Sequence, residues 1–134
     1  CEYARRGRDL PLAFNRKEAK THGEGGSLIG ASLAGQRVLI VDDVITAGTA
    51  IREALGIISA AGGHTAGIVI ALDRQERVRE DATESAAQSV AREHAIPVVA
   101  VAGLGDLLAF VGESDELSTF RDALLAYRAR YGIA

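Results

Sequence analysis

The sequence predicts an α/β fold, with a central, mostly parallel sheet flanked by helices. Three observations lead there. Short apolar runs suited to buried strands recur at Leu12–Phe14, Arg37–Val41, Ala66–Leu72 and Val98–Ala102. Longer segments with helical spacing of apolar residues lie between and after them. Strands that alternate with helices need crossover connections, which are right-handed and leave the joined strands parallel.

The first strand, Leu12–Phe14, gives way to NRKEAKTHGEGGSLIG, residues Asn15–Gly30. This stretch has no sustained period and is broken by Gly23, Gly25, Gly26 and Gly30, so it is expected to be a long surface loop. Arg37–Val41 lacks polar alternation, as a strand covered on both faces would. In Thr49–Ala61 the residues Ile51, Ala54, Leu55, Ile58 and Ala61 form one helical stripe, and Gly62-Gly63 stops it. The strand Ala66–Leu72 leads into the charged loop DRQERVRED. A helix over Thr83–Ala95 follows, then the strand Val98–Ala102 behind Pro97. Helices at Asp106–Val111 and Leu117–Tyr131 close the chain; the last sets Leu117, Phe120, Leu124, Tyr127 and Tyr131 on one face. No repeat, low-complexity tract or linker divides residues 1–134, so one domain is expected.

Composition narrows the class. With 48% hydrophobic and 25% charged residues the chain reads as a globular domain. A formal charge of −3 gives no general basic field for nucleic acid. The single cysteine, Cys1, cannot form an intrachain disulfide and suits a reducing compartment. No apolar run is long enough to span a membrane and no signal-peptide pattern opens the chain, so a cytoplasmic protein is expected. The chain has no methionine and opens on what reads as the tail of a helix. An N-terminal portion is therefore expected to be missing.

The informative stretch is VLIVDDVITAGTA, Val38–Ala50. A buried strand stops at two acids, Asp42 and Asp43, and a turn of Thr46, Ala47, Gly48 and Thr49 leads into a helix. Ligands of open parallel sheets bind beyond the carboxyl ends of the strands. A helix N-terminus offers free N–H groups and a dipole that favour an anion. Gly48 leaves room for a phosphate oxygen to come close, and Thr46 and Thr49 add hydroxyl donors. The carboxylates are unsuited to a phosphate but suit vicinal hydroxyls or a metal. A ribose 5-phosphate held lengthwise satisfies both ends. The plain alternative is an acidic strand end followed by a threonine cap. A Walker-B-type Mg²⁺ site lacks its G-x-x-x-x-G-K-[ST] partner here, and a phosphoacceptor domain would not need the Thr/Gly turn.

A second signal is RKEAKTHGEGG, Arg16–Gly26, which gathers Arg16, Lys17, Lys20 and His22 beside Glu18 and Glu24. Most such runs are solvated surface. A departing diphosphate, however, needs cations and a proton donor, and a lid can supply both while excluding water.

VLIVDDVITAGTA resembles the phosphoribosyl-diphosphate (PRPP) binding motif of the type I phosphoribosyltransferases, whose core is Rossmann-like. RKEAKTHGEGG and LDRQER, Leu72–Arg77, resemble the orotate phosphoribosyltransferases within that family, and the likeness continues along essentially the whole chain. The resemblance implies the reaction of orotate with PRPP to give orotidine 5′-phosphate and diphosphate, a step of UMP synthesis. It implies Mg²⁺ bound mainly through PRPP, with no direct protein ligand to the metal, and a homodimer with shared active sites. It assigns PRPP to Arg16, Lys17, Lys20, His22, Asp42, Asp43, Val44, Ile45, Thr46, Ala47, Gly48, Thr49 and Ala50. Lys20, His22, Asp42 and Asp43 are the catalytic candidates, and Thr46 and Arg74 would contact orotate. Arg74 also makes sense from position alone: it follows Asp73 at a neighbouring strand end, and a guanidinium pairs well with a carboxylate.

The departure lies at the front, where family members carry further strands and an N-terminal hood. The resemblance therefore describes a parent enzyme, and does not imply that these residues are active alone. Two other readings stand beside it: a regulatory protein that keeps the PRPP site as a sensor, and a transferase for a purine base. The first has no use for a cationic lid, and a neutral purine has no use for Arg74. His64, His94, Glu76, Arg77 and Arg79 read as surface residues.

Overall fold

The computed structural model describes residues 5–7, 9–15, 28–113 and 116–133. A short antiparallel pair, β1 (Ala13–Asn15) and β2 (Leu28–Gly30), stands apart from a three-stranded parallel sheet. The sheet comprises β3 (Arg37–Val44), β4 (His64–Asp73) and β5 (Val98–Gly103) in that order. The helices are α1 (Thr49–Ala60), α2 (Ala86–His94), α3 (Leu104–Glu113) and α4 (Arg121–Tyr131), with a 3-10 turn at Ser118–Phe120 before α4. The expected α/β class with a parallel sheet is what forms.

Strand order along the sheet follows chain order, and that has a consequence. Right-handed crossovers that never reverse direction put every connecting helix on the same side. Both α1 and α2 accordingly pack on one face. Ile51 of α1 and Ala86, Ala87 and Val90 of α2 meet Ile68 and Ile70 of β4, with Ile40, Val98 and Ala100 alongside. Ile68 and Ile70 are essentially sealed from solvent. On the opposite face Leu39, Val41, Val99 and Val101 are exposed, Val41 at 75% and Val101 at 78%. The expectation of a strand covered on both faces is thus corrected for β3. Its burial alternates along its length, since the described residues include no strand beyond it to bring a helix to the second face.

Other boundaries shift for local reasons. Leu28–Gly30, expected within a loop, pairs with β1 from Asn15↔Leu28 to Ala13↔Gly30. Three residues are too few to show a period. α2 starts at Ala86 because Ser85 caps it: the Ser85 hydroxyl accepts from the Gln88 N–H at 3.2 Å while the Gln88 side chain accepts from the Ser85 N–H at 2.8 Å. α4 buries no residue fully, and Phe120 of its expected stripe is exposed.

Candidate functional site

The strand β3 runs on through Asp42 and Asp43 to Val44. The acids therefore belong to the last residues of the strand, and it does not stop at Val41. Successive strand residues face opposite sides. Asp42 lies beside Ile70 and is half-buried, whereas Asp43 is exposed. Each folds back on the chain: Asp42 Oδ1 accepts the Asp43 N–H at 2.9 Å, and Asp43 Oδ1 accepts the Val44 N–H at 2.8 Å. Their Oδ2 atoms have no partner among the described residues and remain able to accept from a ligand.

Ile45 is buried and anchors the chain in the core, so the turn Thr46–Gly48 starts from a fixed point. Gly48 precedes α1 with φ 71°, a conformation that favours glycine. A Cβ there would stand 2.9 Å from Val90 Cγ2. No side chain caps α1, and its first ladder bond is Arg52 N–H to Gly48 O at 3.0 Å. The first-turn N–H groups are thus available to an anion, beside the exposed Thr46 and Thr49.

The sequence reading missed the residues that hold this turn. Arg52 Nη1 donates to Ala47 O at 2.8 Å, and Arg52 Nη2 meets Glu93 Oε2 of α2 at 2.9 Å. The Ser89 hydroxyl donates to Glu93 Oε1 at 3.1 Å. Arg52 first, then Ser89, holds the Glu93 carboxyl below the ordinary glutamate range. Arg92, paired with Glu84 at 3.0 Å, is raised by that bond. A cavity of about 680 Å³ flanks the turn, lined by Thr46, Ala47, Arg52, Arg77, Ser89 and Glu93 among others.

Arg74 follows the end of β4, next to β3, with Val44 paired to Leu72. The acids, the turn and Arg74 therefore leave adjacent parallel strands at the same end of the sheet. Arg74 Nη2 pairs with Glu76 Oε2 at 3.0 Å, while its buried Nε has no partner among the described residues. Arg77 is structural: its N–H donates to Tyr131 O at 2.9 Å and its Nη2 to Arg130 O at 2.6 Å. Arg79 pairs with Asp81 on the surface. His64 is exposed, but His94 is half-buried with Nε2 unpartnered among the described residues, against the surface expectation. The lid candidates Arg16, Lys17, Lys20 and His22, and Cys1, lie outside the described residues. Among those described, no cluster of three or more metal-ligating side chains occurs.

The phosphoribosyl transferase domain model matches residues 2–100. An orotate phosphoribosyltransferase of Xanthomonas oryzae pv. oryzae is 73% identical over 132 residues, covering 98% of this chain and 60% of the relative. One from Stenotrophomonas maltophilia is 70% identical over 133 residues, covering 99% and 61%. Among solved structures, the orotate phosphoribosyltransferase of Francisella tularensis superposes with a TM-score of 0.76 at 35% identity. It covers 97% of this chain and 60% of that one. The Mycobacterium tuberculosis orotate phosphoribosyltransferase in complex with PRPP gives 0.58 at 29% identity, covering 75% and 52%. The chain spans about 60% of the length of the curated relatives it matches. A glycine turn from strand to uncapped helix at the carboxyl end of a parallel sheet and a family model covering most of the sequence lead to one assignment: the chain belongs to the phosphoribosyl transferase domain family.

Proposed function

We propose that this chain carries the PRPP-handling core of an orotate phosphoribosyltransferase acting in pyrimidine nucleotide synthesis. The reaction forms a bond from ribose C1′ to a ring nitrogen of orotate, breaks the bond from C1′ to the diphosphate oxygen, and releases diphosphate. The observation that carries the reading is the meeting of the Thr46–Thr49 turn and Arg74 at one end of adjacent strands. That turn supplies donors for the 5-phosphate, and Arg74 supplies a cation for the carboxylate of the base. The close relatives named orotate phosphoribosyltransferase support the same choice of base.

Roles follow from the groups. The backbone N–H groups and hydroxyls from Thr46 to Ala50 hold the 5-phosphate, with Val44 and Ile45 fixing the path of the chain. Asp42 and Asp43 accept from the ribose hydroxyls and stabilise positive charge as C1′ loses its leaving group. Thr46 reaches the base beside Arg74. Arg16, Lys17, Lys20 and His22 close over the diphosphate, His22 as a proton donor.

Mg²⁺ would come bound through the phosphates of PRPP, with its other ligands from water and none needed from this chain. It would neutralise diphosphate charge. The working form is a homodimer in the cytoplasm, consistent with the lone cysteine and with the absence of a helix long and apolar enough to cross a membrane among the described residues.

The test is diphosphate release from PRPP with a panel of bases, in the full-length enzyme and in Arg74→Ala. Orotate should be used, and Arg74→Ala should raise its KM by roughly ten- to a hundredfold with less effect on PRPP. Turnover of purines alone would replace the base. PRPP binding with no turnover would mean a sensor.

A further inference from the structure

The corner that presents Arg74 is fixed by its neighbours on both sides. Asp73, the last residue of β4, is half-buried. Its Oδ1 accepts the Gln75 N–H at 2.8 Å, and its Oδ2 accepts the Ser85 hydroxyl at 3.2 Å. Ser85 is fully buried and caps α2, so it cannot follow a drifting loop. Gln75 adopts φ 53°, which side-chain-bearing residues rarely do. It is tied further by Gly105 N–H to its Oε1 at 3.2 Å and Ile133 N–H to its carbonyl at 2.8 Å. Arg74 stands between these two held residues with its Nε desolvated and unpartnered among the described residues.

We propose that Asp73 is a positioning residue for the base: by joining the Gln75 backbone to the cap of α2, it aims the Arg74 guanidinium at the carboxylate of the substrate. This rests on the reading of Arg74 as the ligand of that carboxylate. A charged carboxylate suits the task because one oxygen can hold the turn while the other holds the cap. The unusual backbone at Gln75 is what turns the chain away directly after Arg74. Without Asp73 the corner can relax, and Arg74 keeps its partner Glu76 but loses its fixed direction.

The experiment measures kcat and both Michaelis constants in the full-length enzyme. The variants are Asp73→Ala, Asp73→Asn, Arg74→Ala and the double variant Asp73→Ala/Arg74→Ala. Asp73→Ala should raise the KM for orotate roughly tenfold and leave that for PRPP nearly unchanged. Asp73→Asn keeps an acceptor for the Gln75 N–H and should recover part of the loss. In the Arg74→Ala background, Asp73→Ala should add nothing for orotate. Equal changes in both Michaelis constants, or a full effect in that background, would overturn the proposal and leave Asp73 a structural residue. If Asp73→Ala does not fold, Asp73→Asn decides by the same comparison. Arg74→Ala separates the two levels: an unchanged KM for orotate there sinks the base-site reading and this step with it. A raised KM there beside an unaltered Asp73→Ala sinks this step alone.

Discussion

Arg52 and Glu93 join the turn after β3 to a helix that is distant in sequence. The guanidinium holds Ala47 O at 2.8 Å with one nitrogen and Glu93 Oε2 at 2.9 Å with the other. The turn is therefore braced by α2 as well as by the strand that feeds it. Its shape is set before any anion arrives, which reduces the ordering cost of binding.

Removing the brace should loosen PRPP binding without unfolding the domain. Arg52 is exposed on a helix, where alanine is well tolerated. Arg52→Ala should raise the KM for PRPP by roughly three- to tenfold, and Glu93→Gln should do so more weakly. The double variant should resemble Arg52→Ala alone. Additive effects would show that the two residues act separately.

The same pair sets a dependence on pH. Glu93 has its folded pKa lowered, chiefly by the Arg52 hydrogen bond, then by Ser89, with Arg92 adding a smaller share. A lowered folded pKa gives stability that is present above the unfolded value, about 4.3, and lost as pH falls through the folded one. Melting curves of the parent and Glu93→Gln should therefore differ at neutral pH and converge on acidification, as pH falls through the lowered folded value. A gap that widens on acidification would contradict the assignment.

Gly48 is constrained twice, by its φ of 71° and by Val90 Cγ2 at 2.9 Å from a would-be Cβ. The left-handed conformation alone costs about 1–2 kcal/mol for another residue. The crowding falls on a core side chain with little room to move. Gly48→Ala should lower stability by about 2–4 kcal/mol and weaken PRPP binding. Val90→Ala is destabilising alone, but it should relieve part of the Gly48→Ala defect when the two are combined. Strictly additive losses would mean that this contact is not limiting.

Legibility in the sequence followed the range of the forces involved. The strand Arg37–Val41 was readable as a short apolar run, and the helical stripe of Ile51, Leu55 and Ile58 because burial of one helix face imposes a period. The turn before α1 was readable because Gly48 announces its backbone conformation. Arg52–Glu93 and Asp73–Ser85 were not, since each joins residues brought together only by the crossover geometry. The cap at Ser85 did carry a local signal, the Ser-x-x-Gln spacing to Gln88, which would have corrected the start of α2. The exposed row of Leu39, Val41, Val99 and Val101 had none. A strand rich in valine looks the same whether one face or two are covered.

The cationic segment lies between the two strands of the antiparallel pair. Residues 16–27 connect Asn15 to Leu28, which are paired across β1 and β2. Closure over a neighbouring subunit requires that two sites face each other closely, as in a two-fold dimer. If each site takes its phosphate turn from one chain and its lid from the other, two dead parents can complement. One parent is full-length Lys20→Ala, with a spoiled lid; the other is full-length Asp42→Asn/Asp43→Asn, with a spoiled cradle. In a hybrid dimer the intact cradle of the first meets the intact lid of the second, and the other site collects both defects. With random exchange half the dimers are hybrids with one whole site of two, so activity should return to roughly a quarter of the unsubstituted enzyme's. A lid closing within its own chain leaves one defect in every site, and mixing would restore nothing. No recovery after exchange has been verified would therefore exclude the proposed shared site.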